Sequence, residues 1–235
     1  MTPARLRPPG LRAGRVECVA HSVHNPPTAV DKVPMQDADL KKLEDELHRL
    51  GLAGFRRIRE EHPKDHFYCF AFYSNGEFTY AALTASTYEG LDRVTHDYMK
   101  KPPYNAMTIE DLRLDLKWSP DDSPLHGAPE DILTALDPLM EAVTAELRRR
   151  SNLKDDWKSF DEFVTQVSTC FANALRRIDT DGAFGRGEER KQVVVNFLMG
   201  DQSDENRIGF AERVNPVESV KMLKQDLEAA RRLRR

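Results

Sequence analysis

The chain has 235 residues, of which 40% are hydrophobic and 31% are charged, a composition typical of a soluble globular protein. Its formal net charge of −4 gives no overall attraction to nucleic acid or to an anionic membrane. No apolar run reaches the roughly 18 residues that a transmembrane helix needs, so no membrane span is predicted. The three cysteines, Cys18, Cys69 and Cys170, are widely spaced. This spacing argues against a disulfide framework and predicts a reducing, cytoplasmic location.

Residues 1–34 differ in composition from the rest of the chain. They hold six prolines and several arginines and show no periodic apolar pattern. Such a segment is predicted to be a disordered leader, and an alternative is that translation begins at Met35. Residues 35–235 are predicted to form a single α+β domain, because the strands predicted below are far apart in the chain and need one another to form a sheet.

The first predicted helix and a β-hairpin follow the leader. Asp37–Leu50 has the apolar spacing of a helix, which Gly51 is expected to end, and a short strand is predicted at Phe55–Ile58. Residues 67–84 are predicted to form the hairpin. Its first strand, FYCFAFY, is apolar on both faces, so both faces are expected to be covered. The Asn-Gly pair that follows predicts a two-residue type I′ turn, with the second strand beginning at Phe78.

Two further strands and five helices are predicted after the hairpin. Leucines alternate with charged residues over Glu110–Trp118, which predicts a strand with one solvated face. Gln192–Met199 is predicted to be a buried strand. Helices are predicted at residues 87–99, 131–150, 159–178, 203–214 and 216–233. The fold class is therefore α+β, with a mostly antiparallel sheet of about four strands centred on the 67–84 hairpin. The helix around Phe171 is expected to cover that hairpin.

Three segments together resemble a known family. They are FAFYSNGEFTYAALTAST in the predicted hairpin, LKWSPDDSPLH beyond it, and RRIDTDGAFGRGEERKQVVVNFLMGD before and through the last strand. Their order is similar to that of the bacterial family known as domain of unknown function 4303, over roughly residues 35–230. The resemblance implies no established activity. In size and α+β character such proteins look similar to immunity proteins, which bind and block a toxin.

The loop at residues 119–126 contains the first candidate site. Trp118 precedes it, and the loop carries Asp121, Asp122 and His126. A carboxylate and an imidazole four residues apart suit an acid–base pair or a metal-binding pair. The alternative is a loop in which aspartates cap turns and prolines fix the course of the backbone. No third catalytic partner can be identified from the sequence, so the second interpretation is favoured.

The second candidate site is the glycine-rich segment at residues 179–187, with Asp181 and Arg186. Glycine-rich backbone can bind phosphate, but a phosphate-binding loop joins a strand to a helix, and this segment is predicted to join a helix to a strand. The simpler interpretation is a helix C-cap followed by a turn. No metal site and no cofactor are predicted.

Two functions are weighed. The first is an uncharacterised cytoplasmic, non-catalytic protein-binding module of the immunity type, whose partner is a protein toxin or another protein. The alternative is a small enzyme or ligand-binding protein that uses the 119–126 and 179–187 loops together, which requires the two loops to meet. No recognised catalytic motif occurs, so enzymatic activity stays open. We expect no membrane and no nucleic acid as partners.

Overall fold

The computed structural model describes residues 34–129, 131–153, 157–200 and 202–234. The predicted leader lies outside these residues except for Pro34, and it stays a prediction. The helices are α1 (Asp37–Glu61), α2 (Tyr88–Met99), α3 (Ile109–Leu116), α4 (Asp137–Ser151), α5 (Trp157–Thr180), α6 (Gly187–Lys191), α7 (Asp204–Val214) and α8 (Val217–Leu233). The strands are β1 (Phe67–Ser74), β2 (Ala82–Thr87) and β3 (Val194–Met199). No helix in the described ranges is both long and apolar enough to cross a bilayer.

The described strands form one mixed sheet in the order β2-β1-β3. Strand β1 pairs with β2 in antiparallel register, with Tyr73 opposite Ala82. It pairs with β3 in parallel register, with Ser74 opposite Met199. The α+β class is confirmed, but the expectation of about four mostly antiparallel strands is wrong. Because β1 and β3 are parallel, their carboxyl ends lie at the same edge of the sheet.

The segment predicted as a further strand, Glu110–Trp118, lies largely in helix α3. The alternating leucines misled the prediction, since Leu112 and Leu116 are also one helical turn apart, and both are buried on one face. Thr108 caps the helix by accepting a hydrogen bond from the backbone N–H of Asp111. This threonine, followed by acidic residues in the first turn, is the helix signal that the alternation obscured.

The connection between β1 and β2 is longer than predicted. It spans residues 75–81 and is not the two-residue Asn75-Gly76 turn. The side chain of Asn75 instead bonds to Thr79, accepting from its backbone N–H at 2.9 Å. Phe78 has a φ of 55°, in the left-handed region that bulky residues rarely occupy, and its ring is buried in the core. The wider loop thus carries the Phe78 ring into the core.

Helices cover both faces of β1, as the sequence predicted. Phe70 and Phe72 face an apolar cluster that includes residues of α1, α4 and α5. Cys69, Ala71 and Tyr73 face a second cluster, built with residues of α2, α3, α7 and α8. A bulge between residues 67 and 69 shifts the alternation, so that Tyr68 joins the second cluster. The sheet is thus the middle layer of three.

Helix α1 continues well past Gly51, so the predicted stop at this residue and the predicted strand at Phe55–Ile58 are wrong. Gly51 and Gly54 are buried against the sheet. A Cβ at residue 51 would lie 2.5 Å from a ring carbon of Phe72, and one at residue 54 would overlap Leu83 Cδ1. The glycines therefore allow close packing of helix on sheet.

We expect Gly54→Ala to lower the free energy of unfolding by about 1–3 kcal/mol, because the new methyl group displaces the buried side chain of Leu83. Gly209→Ala is the matched control, since a methyl group added to this helical glycine would meet no atom within 4 Å. The control is expected to gain up to about 1 kcal/mol from helix propensity. Chemical denaturation measures both, and stabilisation by both substitutions would contradict this packing.

Candidate functional site

A polar groove of about 210 Å³ lies at the edge of the sheet where the parallel strands β1 and β3 end. Gly200, the residue after β3, lines it. Helix α3, the segment at residues 118–121, the start of α7 and the end of α8 supply the other walls. Ligands commonly bind beyond the carboxyl ends of parallel strands, because loops and helix termini converge there. This groove is the candidate site, and its charged residues are Asp115, Asp121, Asp204, Arg207 and Arg234.

Trp118 forms a fixed wall of the groove. Its indole Nε1 donates to Asp226 Oδ2 at 3.2 Å, and its ring meets Tyr68 edge-on with centroids 5.4 Å apart. The neighbouring Lys117 places its Nζ 2.7 Å from Asp226 Oδ2. The same Nζ lies 5.3–5.4 Å from the ring centroids of Tyr68, Tyr88 and Trp118. These contacts join α3 to α8. They fix Trp118, and with it this wall of the groove.

The charges at the groove are unevenly paired. Asp204 pairs with Arg231 at 3.1 Å, and Asp115 pairs with Arg234 at 2.8 Å. Arg207 donates from one terminal nitrogen to the backbone carbonyl of Trp118 at 3.2 Å. Burial lowers the pKa of its guanidinium, and its buried Nε has no hydrogen-bond partner in the described part of the chain. Of the two arginines at the groove, Arg207 is therefore the one without an ion pair in the described part of the chain.

The structure separates the two polar residues predicted as a pair on the 119–126 loop. Asp122 accepts a 2.5 Å hydrogen bond from the Tyr98 hydroxyl of α2, and this bond helps raise the pKa of Tyr98 to about 12. The imidazole of His126 lies edge-on to the Tyr73 ring, 4.6 Å between centroids. Its Nε2 is 3.8 Å from an oxygen of Asp121. Burial lowers the pKa of His126, which favours the neutral imidazole.

The glycine-rich segment packs against α1. Asp181 Oδ2 is 2.7 Å from His48 Nε2, and the Phe184 ring is buried against Phe55. Arg186 is exposed and precedes the short helix α6. This segment therefore belongs to the layer that contains α1, whereas Trp118 and Asp122 contact helices on the other face of the sheet. The structure does not bring the two loops together into one pocket.

The two described cysteines are not activated, and the described side chains that commonly bind metals are not clustered. Burial raises the pKa of Cys69 to about 12 and that of Cys170 to about 11, so both side chains are neutral thiols. In the ranges that the structure describes, three or more histidine, cysteine, aspartate or glutamate side chains nowhere gather at a possible metal site.

Most groove residues were missed by sequence reasoning. Trp118 and Asp121 were candidates and line the groove, but Asp115, Asp204, Arg207 and Arg234 were not predicted. These four residues lie on α3, on α7 and directly after α8, which are far apart in the chain, so no local spacing could have indicated them. An arginine on the partly apolar face of α7 was the available signal, because a charged side chain there needs a specific partner.

Comparison with known proteins gives one match. No curated protein and no solved structure matched the chain. A family model described as Domain of unknown function (DUF4303) matches residues 47–216. This range includes most of α1, the whole sheet, and the helices through α7. Because the match covers more than half of the chain, the protein belongs to the DUF4303 family, as the three sequence segments had indicated.

Proposed function

We propose that the chain is a binding protein and that the groove bounded by α3, α7 and α8 is its site for a small polar ligand. The observation that carries the proposal is a 210 Å³ concavity at the carboxyl ends of parallel strands, with the partly buried Arg207 on its wall. Small-molecule sites typically combine a concave surface with a few fixed polar groups. Trp118, held on both sides by other residues, supplies a rigid apolar surface next to that charge.

Binding fits the geometry of the polar side chains better than catalysis does. Asp122 is occupied by the Tyr98 hydroxyl, and His126 lies against Tyr73 at a distance of 3.8 Å from the nearest carboxylate oxygen of Asp121. A catalytic base is usually oriented by a hydrogen bond to a third group, at about 2.6–3.2 Å, and the Asp121 oxygen lies farther from His126 than that. The buried thiols lack the lowered pKa that a nucleophilic cysteine requires.

The test is a screen of small polar compounds against the ¹⁵N-labelled protein. At least one compound is expected to shift the amide signals of residues 114–121 in a saturable way, and to leave the signals of residues 179–187 unchanged. Leu114→Trp, which fills the groove from α3, is expected to abolish the shifts. Val217→Trp is the matched control on an 80% exposed position of α8 and should keep them. Shifts that persist in Leu114→Trp would contradict the groove as the site.

A protein-binding module of the immunity type is the second candidate. It is favoured by Trp157, whose side chain is 68% exposed, and by the nearby Leu153, which is 43% exposed. Exposed tryptophan is enriched among residues that dominate protein interfaces. The net charge of −4 would complement a basic toxin in the cytoplasm. Co-purification with the product of the adjacent gene, accompanied by a change in Trp157 fluorescence, would favour this role. A compound that binds in the groove would not block the association with that partner.

A further inference from the structure

We propose that the groove binds a small molecule with a single carboxylate, and that the guanidinium of Arg207 holds this carboxylate. The inference rests on the proposed function, because it names the ligand class for the same groove. It is carried by the contacts of Arg207 and by the pairing of the charges around it.

Arg207 has donors that the protein does not use. A guanidinium carries five N–H donors, and in the described residues Arg207 makes one hydrogen bond, to the Trp118 carbonyl. The contrast is Arg190, whose Nε donates to Asp179 at 2.7 Å and whose terminal nitrogens donate to three further oxygens. A partly buried cation without an anionic partner costs free energy, and a bound anion would recover part of that cost.

A ligand in the groove would meet the terminal nitrogens of Arg207 and not its Nε. The Nε atom is buried and lies beyond direct reach. Arg207 also lines a much smaller concavity with Thr84, whose hydroxyl likewise has no hydrogen-bond partner among the described residues. The side chain thus borders both this concavity and the groove. A ligand carboxylate would accept from the terminal nitrogens.

No carboxylate of the described residues forms an ion pair with Arg207. Asp204 and Asp115 each pair with another arginine, Arg231 and Arg234 respectively. Burial is the main reason that the pKa of Arg207 is lowered; the negative charge of Asp204 opposes this effect, and the positive charge of Arg234 adds to it. An anion in the groove would be attracted chiefly by Arg207, because Arg234 is already paired with Asp115.

A single carboxylate fits this groove better than a phosphate. The planar guanidinium matches a carboxylate with two parallel hydrogen bonds. Three carboxylates, Asp115, Asp121 and Asp204, line the same groove and would repel a doubly charged phosphate more strongly than a singly charged acid. The volume of about 210 Å³ is below the range typical of drug-sized ligands, which selects a small acid.

The experiment follows the Nε–H signal of Arg207 by NMR in the full chain, during titration with sodium acetate, sodium lactate or inorganic phosphate. Sodium chloride at equal ionic strength controls for screening. Acetate or lactate is expected to shift this signal in a saturable way, and phosphate is expected to shift it at least about tenfold more weakly at equal concentration. The Nε–H signal of Arg190, which is already paired with Asp179, is expected not to move.

Arg207→Gln is expected to weaken carboxylate binding by at least about tenfold, as followed by the backbone amides of the groove. Arg207→Lys keeps the charge but loses the planar fork, and should bind with intermediate affinity. Arg213→Gln is the matched control on α7, since Arg213 is exposed and bonds to Ser168 and Thr169. Thermal unfolding shows whether each variant is folded.

Three outcomes would overturn the inference. One is a Nε–H signal of Arg207 that none of the three anions moves. Another is a stronger response to phosphate than to either carboxylate. The third is saturable binding of a neutral or cationic compound in the groove with Arg207 unaffected, which would leave the proposed binding function in place. If no compound of any class shifts the groove amides, the proposed function itself fails.

Discussion

Replacement of Phe171 by alanine is expected to lower the free energy of unfolding by about 3–5 kcal/mol. The ring is fully buried in α5 and stacks on Phe197 of β3, with centroids 4.1 Å apart and planes inclined by 10°. It also meets Phe72 of β1 edge-on at 5.5 Å. The substitution therefore removes contacts to two adjacent strands and leaves a cavity that the rigid sheet cannot fill. Urea denaturation followed by circular dichroism measures the loss.

Phe160→Ala provides the matched control in the same helix. Phe160 is only partly buried and packs at the margin of the core, so we expect a loss of about 1 kcal/mol. If Phe171→Ala destabilises the protein no more than Phe160→Ala does, α5 is not the main cover of the sheet.

Arg190→Ala is expected to cost a similar amount, about 3–5 kcal/mol, for a different reason. The side chain of Arg190 is buried, with a relative exposure of 6%. Its guanidinium donates to Asp179 at the end of α5, to the Val193 carbonyl before β3, and to Val214 and Asn215 at the end of α7. Truncation leaves one carboxylate and several buried oxygens without their donor. Thermal and chemical unfolding both measure this effect.

Arg186→Ala serves as the control for Arg190, because Arg186 is exposed and lies only four residues away. We expect its effect to stay within about 0.5 kcal/mol. Arg190→Lys is expected to fall between the two, since lysine keeps the charge but cannot reach four oxygens from a planar fork. Equal stability of Arg190→Ala and Arg186→Ala would show that the network contributes nothing.

Long apolar segments made part of the fold predictable. Residues 67–73 and 192–199 were predicted as buried strands, and both regions are strands in the structure. The helix around Phe171 was predicted from apolar residues over several turns, and it covers the sheet. In these segments the apolar pattern extends over more residues than any competing local signal. The element that it predicts is therefore also the one that tertiary packing favours.

The errors arose where a local sequence pattern was compatible with two different structures. Leucines at 112, 114 and 116 alternate as in a strand, but a helix needs only Leu112 and Leu116 on one face, and Leu114 is partly exposed. Gly51 was taken as a helix stop, yet its missing side chain makes room for Phe72 across the layer. Contacts with distant segments decided both cases, and these cannot be derived from a short window.

The candidate site was still less predictable than the fold. Its walls come from α3, α7 and α8, and the relevant property of Arg207 is the absence of an anionic partner among the described residues. A sequence shows which residues are charged, but only the packed structure shows which charges are compensated. Trp118 was identified because it belongs to the segment LKWSPDDSPLH, which resembles the family, and its hydrogen bond to Asp226 became visible only in the structure.

The central position of β1 has a consequence for the nascent chain. One edge of β1 pairs with β2 soon after synthesis, whereas its other edge pairs with β3, which is made more than a hundred residues later. At ordinary translation rates this interval is on the order of ten seconds. During it, the backbone groups on one side of a strongly apolar strand are unpaired, and such edges favour aggregation. Ribosome-bound intermediates that end before Val194 should therefore depend on chaperones more than the complete chain does.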